Sequence, residues 1–299
     1  MIGPRVLMPT FYVLGPMEVR TPSHIFRPRG TMMQTLLAAF LAASDRLVGA
    51  NALVEELWGG TQPAKSDNAL QAQISRLRRD LARLEPERKD SRLATTDSGY
   101  HFKVDWTELD AWLFMHTVES IRLRPPTDLR RDVTDLRSAL KLWRGPIFGG
   151  LTGGPICQTA VRKYEESRIA ALEFLYDLQL KAGDHATIVP ELTELVAQNP
   201  LQEHFCSLLM VALYQSGRQI DALNVYHRIK QRLAEDLGIE PSPVLRRYEA
   251  AILNHDPLLV LSDQLDAADR GAAARKPTAH GRSINALRLP RPTGAVRRP

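Results

Sequence analysis

The sequence predicts a mainly α protein in which an N-terminal winged helix-turn-helix (α+β) precedes an all-α domain of tetratricopeptide-like helices. Three observations predict it. Two β-prone runs bracket three helical patterns within the first 107 residues. After Asp110 the β signals stop, and seven helical segments follow with short joints marked by Gly, Pro or Asn. The composition, 44% hydrophobic but only 6% aromatic over 299 residues, suits helices packed through Leu and Ala.

The run from Phe11 to Arg20 alternates around Gly15-Pro16 and reads as an antiparallel hairpin. Thr31 is expected to cap a helix whose apolar residues Leu36, Leu37, Phe40 and Leu41 recur at helical spacing. A second, shorter helix carries Leu53, Val54, Leu57 and Trp58, and Gly59-Gly60 stops it. The third begins after Pro63, with Leu70, Ile74, Leu77 and Leu81 at i, i+4, i+7 and i+11 forming one stripe. Arg92 to Val104 then gives two β-prone runs around a turn. Three helices followed by a hairpin is the order of a winged helix.

Helices are expected at about 108–123, 128–143, 156–182, 185–197, 202–216, 218–236 and 242–254, stacked as antiparallel pairs. Within them, Gly217 precedes Ala222 and Tyr226, the small-then-aromatic step of a tetratricopeptide repeat. The expected division is residues 1–107, 108–261 and 262–299. The last segment, rich in Ala, Arg, Pro and Gly, buries too little apolar surface to offset chain entropy and is expected to be a disordered basic tail.

The net charge of +5 divides unevenly. Residues 1–107 hold 14 Lys+Arg against 11 Asp+Glu, residues 108–261 hold 17 against 20, and residues 262–299 hold 8 against 3. The tail supplies much of the basicity, so the position of the cations says more about a nucleic-acid partner than their number. The two cysteines, Cys157 and Cys206, lie far apart and form no C-x-x-C pair, which argues against a zinc ribbon or disulfide scaffold and fits a reducing cytoplasm. The longest apolar run is too short for a membrane span, and no signal peptide is evident.

Opposite the stripe of the third helix stand Asn68, Ala72, Ser75, Arg76, Arg79 and Arg83. With the stripe packed on the first two helices, that face can enter a major groove, where arginine gives two hydrogen bonds to guanine. Asn68, Gln71 and Gln73 suit adenine, although Gln73 lies nearer the buried edge. Lys65, Arg78 and Arg83 suit phosphates. Trp58 and Trp143 read as core anchors closing helix ends. His204-Phe-Cys206 lies on a helical pattern with no second ligand pair nearby. Gly149-Gly-Leu-Thr-Gly-Gly154 lacks the lysine of a phosphate loop and reads as a flexible connector. No G-x-S-x-G or H-E-x-x-H occurs, so neither an enzyme nor a cofactor or metal site is expected.

Gln73-Ile-Ser-Arg-Leu-Arg-Arg79, followed by Ser98-Gly-Tyr-His-Phe102, resembles the recognition helix and wing of OmpR-type DNA-binding domains. Leu57-Trp-Gly59, Asn68-Ala-Leu-Gln71, Leu142-Trp-Arg-Gly-Pro146, Ala212-Leu-Tyr214 with Gly217-Arg218 and Ala222-Leu223, and Leu237-Gly-Ile-Glu-Pro241 resemble the Streptomyces antibiotic regulatory proteins. The resemblance covers roughly residues 11–257. It implies an OmpR-type winged helix coupled to a bacterial transcriptional activation domain, in a small stand-alone member. It also implies an activator that binds direct repeats in double-stranded promoter DNA upstream of secondary-metabolite genes and recruits RNA polymerase, with a homodimer on DNA as a further expectation. The wing adds Thr95 and Thr96 to the candidate DNA contacts. This chain departs from the family at Thr96, where wings often carry arginine, and Asp97 beside it would repel phosphate. Two other readings stay open: a helical adaptor whose winged helix serves protein contacts, and a repressor using the same DNA contacts. Base and phosphate contacts all precede Trp106, so the first domain is expected to bind DNA by itself.

Overall fold

The computed structural model describes residues 10–256, apart from Ser23 and Pro126. The tail expected at 262–299 lies outside the described residues. Strands β1 (Phe11–Tyr12) and β2 (Glu18–Arg20) pair antiparallel with Phe11 opposite Val19, as the Gly15-Pro16 turn requires. A third strand, β3 (Ile25–Phe26), extends this sheet. Helix α1 (Thr31–Ala43) is buried from Thr35 to Ala43. Its cap is Gly30 and not Thr31: Gly30 adopts φ 83°, and its carbonyl accepts from the amides of Met33 and Gln34. Thr31 is the exposed first helical residue.

Strand β4 (Leu47–Val48) leads into α2 (Ala50–Trp58) and then α3 (Ser66–Leu84). The hairpin β5 (Leu93–Thr96) and β6 (Gly99–Phe102) follows, and the second sheet has the order β4-β6-β5. Phe102 stacks on Phe40 of α1 and meets Phe11 edge-on, joining the two sheets through α1.

A 3-10 turn at Trp106–Glu108, held by an Asp105 capping box, passes directly into α4 (Asp110–Arg122). Next come α5 (Leu129–Leu140), a 3-10 turn at Ile147–Gly150, and the long α6 (Pro155–Lys181). The stack is completed by α7 (His185–Gln198), α8 (Glu203–Gln215), α9 (Gln219–Leu237) and α10 (Pro243–Leu253). Ala222 and Tyr226 are buried in α9, which packs on α8 across the turn at Gly217 (φ 76°). The small side chain lets the two helices approach, and the aromatic ring fills the space beyond.

Two apolar cores result. One runs from Phe11 to Leu178 and includes the winged helix together with α4, α5 and much of α6. The other runs from Tyr176 to Ile252 and is built from the end of α6 with α7–α10. The first core therefore crosses the expected 107/108 division, and the change from one core to the other falls inside α6. Polar contacts reinforce that crossing. The Asp110 carboxylate accepts from the amides of Val13 (2.8 Å) and Leu14 (3.1 Å), while Arg144 and Phe148 donate their amides back to the carbonyls of Leu14 and Val13. Ser44 at the end of α1 accepts from Trp112 Nε1 at 3.0 Å.

Candidate nucleic-acid interface

Helix α3 is anchored by Leu70, Ile74, Leu77 and Leu81, all buried against α1 and α2. That stripe orients the rest of the helix. Lys65, Asn68, Gln71, Ser75, Arg76, Arg79 and Arg83 are exposed, so one connected surface carries amides, a hydroxyl and cations. Arg83 has only a loose partner, Asp80 at 3.8 Å, a surface pair of small energetic weight. Gln73 is half-buried and its Oε1 is buried, which withdraws it from the outer face.

Arg78 is placed differently from the phosphate ligand expected. Its Nε donates to the Leu93 carbonyl at 2.8 Å and its Nη2 to Thr95 Oγ1 at 2.7 Å. The guanidinium thus splints α3 to strand β5, with two of its three nitrogens engaged by the protein. The wing threonines are likewise engaged: Thr95 accepts from Arg78, and Thr96 Oγ1 donates to the Gly99 carbonyl at 3.2 Å across the turn. Both remain exposed, with Asp97 at the tip of the hairpin.

Gly99 explains how the wing is seated. Its φ is 145°, and a Cβ there would lie 2.3 Å from the Val48 carbonyl oxygen. Only glycine lets β6 close on β4 and bring the wing turn beside the start of α2.

Three buried ionic groups set the frame, and none was singled out from the sequence. Arg92 sits between the end of α3 and the 3-10 turn, bound to Glu85, to Glu108 and to the Lys103 carbonyl. Burial works against its charge, but the two carboxylates more than offset this and hold the guanidinium firmly protonated. Asp110 is fully buried, and burial pushes its carboxyl up to about 6 despite the amides of Val13 and Leu14 and the nearby Arg144. Glu56 of α2 is buried at the start of α6, where its carboxylate accepts from the amides of Gly154 (2.7 Å), Ile156 (2.7 Å) and Cys157 (3.1 Å). The glycine-rich stretch expected as a flexible connector is therefore the seat of that carboxylate.

A sequence signal for two of these existed. Glu56 stands three residues after Leu53, and Asp110 four before Phe114, so each carboxylate occupies a core-facing helical position. Among the described residues no group of three or more His, Cys, Asp or Glu is placed to hold a metal, and Cys206 lies within the second core, its thiol pushed up to about 12 by burial. No helix among them is long and apolar enough to cross a membrane.

Residues 31–102 match the model of the transcriptional regulatory protein C-terminal family, and residues 109–253 match the bacterial transcriptional activator domain. The transcriptional regulator RedD of Streptomyces coelicolor is 39% identical over 254 residues, covering 85% of this chain and 73% of RedD. The chain belongs to the Streptomyces antibiotic regulatory protein family. The regulatory protein DnrI of Streptomyces peucetius is 32% identical, covering 82% of this chain and 92% of DnrI. The regulatory protein AfsR of Streptomyces coelicolor is 35% identical, but the match spans only 24% of AfsR. In the solved structure of Mycobacterium tuberculosis EmbR in complex with a low-affinity phosphopeptide, the likeness reaches a TM-score of 0.78 at 26% identity, over 88% of this chain and 70% of that one. The chain is a transcription regulator of the winged-helix and activator-domain type.

Physical reasons for several family-like motifs can be read from this member. Trp58 packs half-buried on the first core, and Trp143 lies edge-on to Phe114 with Arg168 over its face, so both tryptophans serve packing. Arg144 reaches from Leu142-Trp-Arg-Gly-Pro146 to Glu18 and Asp110, across the junction. Gly238, with φ 66°, ends α9 in the left-handed conformation.

Proposed function

We propose that this regulator binds specific sites in double-stranded promoter DNA through the outer face of α3 and activates transcription of a secondary-metabolite gene cluster. The observation that carries the reading is the exposed row Asn68, Gln71, Ser75, Arg76 and Arg79 on a helix whose opposite face is fully buried. Such a helix is rigid and exposes side chains that can read base edges, which phosphate contacts alone do not. Arg76 and Arg79 are the candidate guanine readers, and Asn68 and Gln71 suit adenine. Lys65 and Arg83, at the two ends of the helix, suit phosphates. Arg78 supports the helix from its inner edge, Gln73 lies toward the buried side, and Thr95 and Thr96 would face the DNA backbone without supplying charge.

Binding to direct repeats, a homodimer on that DNA and recruitment of RNA polymerase complete the proposal. They rest on the resemblance to activators of this family and on the helical domain, whose stacked pairs provide protein-binding surface. The test is selection of duplexes from a random pool by the full chain, followed by anisotropy titration over a range of salt. The reading expects a recurring, paired motif, and affinity that falls linearly in log–log salt plots. Enrichment of no motif would remove the DNA-reading role and favour the adaptor.

A further inference from the structure

Glu56 occupies an unusual place for a charged side chain. It belongs to α2, the helix that precedes α3 in the helix-turn-helix, yet all three of its backbone partners lie about a hundred residues away at the first turn of α6. Helix α6 has no side-chain cap of its own, and Pro155 at its first turn brings no amide. Glu56 therefore supplies from the other domain what a capping residue ordinarily supplies locally: acceptors for the orphan amides and a negative charge at the positive end of the helix dipole. Cys157 adds its thiol, kept protonated by burial and by the neighbouring carboxylate.

The fit is close on both sides. A Cβ at Gly154 would lie 2.6 Å from Glu56 Cα, and one at Gly153 would lie 2.5 Å from Cys157 Cβ. Both glycines are needed for α2 to reach the helix end. From there α6 runs 27 residues, out of the first core and into the second. It connects the DNA-facing frame to α7–α10.

We infer that Glu56 is a positioning residue that fixes the direction of α6, and with it the α7–α10 stack, relative to α3. This rests on the DNA-binding activator reading above. Its consequence is a division: loss of the Glu56 contacts disturbs activation more than DNA affinity, because α3 keeps its own stripe while the helical stack loses its bearing.

The experiment uses the full chain with spin labels on Ala82→Cys in α3 and Gln231→Cys in α9, both exposed positions, the native cysteines being buried. Pulsed electron–electron resonance should give one narrow distance in the parent. In Glu56→Gln, whose amide nitrogen opposes one of the donors, and in Gly154→Ala, whose Cβ would meet the Glu56 backbone and carboxylate and force α2 from the helix end, the distribution should broaden or gain a second distance. Reporter output from a promoter carrying the selected duplex should fall by about tenfold, the scale of one lost charged hydrogen bond, with affinity for that duplex changed by less than about threefold. A distribution as narrow as the parent's in both variants would overturn the inference. So would output and affinity falling in equal proportion at unchanged distance. If the parent selects no duplex, the DNA-binding reading fails, while the distance measurement still decides whether Glu56 sets the interdomain geometry.

Discussion

Replacing Asp110 with alanine tests the junction, because opposing terms of similar size meet at this one carboxylate. Its removal leaves the amides of Val13 and Leu14, both in fully buried residues, without an acceptor. Each orphaned amide costs about 1–3 kcal/mol, so the loss is about 2–6 kcal/mol. Against this stands the cost of holding the charge: a carboxyl raised from 3.8 to about 6 is destabilising at neutral pH by about 3 kcal/mol, at 1.36 kcal/mol per unit. The sign follows from the direction of the shift. Because the folded state binds this proton more tightly than the unfolded chain, its stabilising contribution is fully present below 3.8 and is lost as pH rises through 6. The alanine variant lacks this dependence. The stability gap between parent and Asp110→Ala should therefore narrow by about 2 kcal/mol from about pH 4.5 to about pH 7.5, other titrations cancelling in the difference. Urea denaturation of both proteins across that range measures it. A gap that stays constant, or widens toward neutral pH, would refute the assignment of Asp110 as a carboxyl strained by burial.

Four further outcomes are expected. Arg76→Ala and Arg79→Ala should each melt like the parent but lose about 1–3 kcal/mol of binding to the selected duplex, with relaxed preference at one base position. Leu70→Ala or Ile74→Ala should cost about 2–5 kcal/mol of stability, because each leaves a cavity beneath α3; parental melting with weakened DNA binding would contradict the stripe. Arg78→Ala should speed hydrogen exchange along Leu93–Thr96 while leaving the salt slope of DNA binding unchanged, whereas a phosphate ligand would lower that slope by about one. The expectation that the first domain binds DNA by itself is revised by the shared core: residues 1–106 alone should lack a fixed tertiary near-ultraviolet signal and bind the selected duplex poorly, since Glu108, Leu109, Asp110 and the amides capped by Glu56 all lie beyond the cut.

What could be read from the sequence was whatever repeats locally. The stripe Leu70–Leu81, the Gly59-Gly60 stop, the Gly99-Tyr100 wing and the seven later helices all announce themselves within a few residues, and their observed bounds lie within about three of those expected. The outer face of α3 was legible for the same reason, since a fixed stripe determines what lies opposite. The junction was not. The core-facing helical positions of Glu56 and Asp110 were readable, but their partners lie 96 to 101 residues away and leave no period in the sequence, and Arg92 draws its partners from three separate segments. Arg78 was legible as a cation on α3, but its capture by Leu93 and Thr95 depends on where the wing folds back. The two-residue strands β3 and β4 are too short for alternation to register. At α1 the hydroxyl of Thr31 suggested a cap, and the left-handed turn at Gly30 placed the cap one residue earlier.

If the outer face of α3 selects the sites at which this regulator acts, its removal should empty them. Mapping the chromosomal sites bound by the tagged full chain, beside the doubly substituted Arg76→Ala, Arg79→Ala chain at equal abundance, tests it most directly. The parent should give sharp peaks upstream of transcription starts that share one paired motif, and the substituted protein should lose them. Identical peaks from both proteins, or peaks with no common motif, would contradict it.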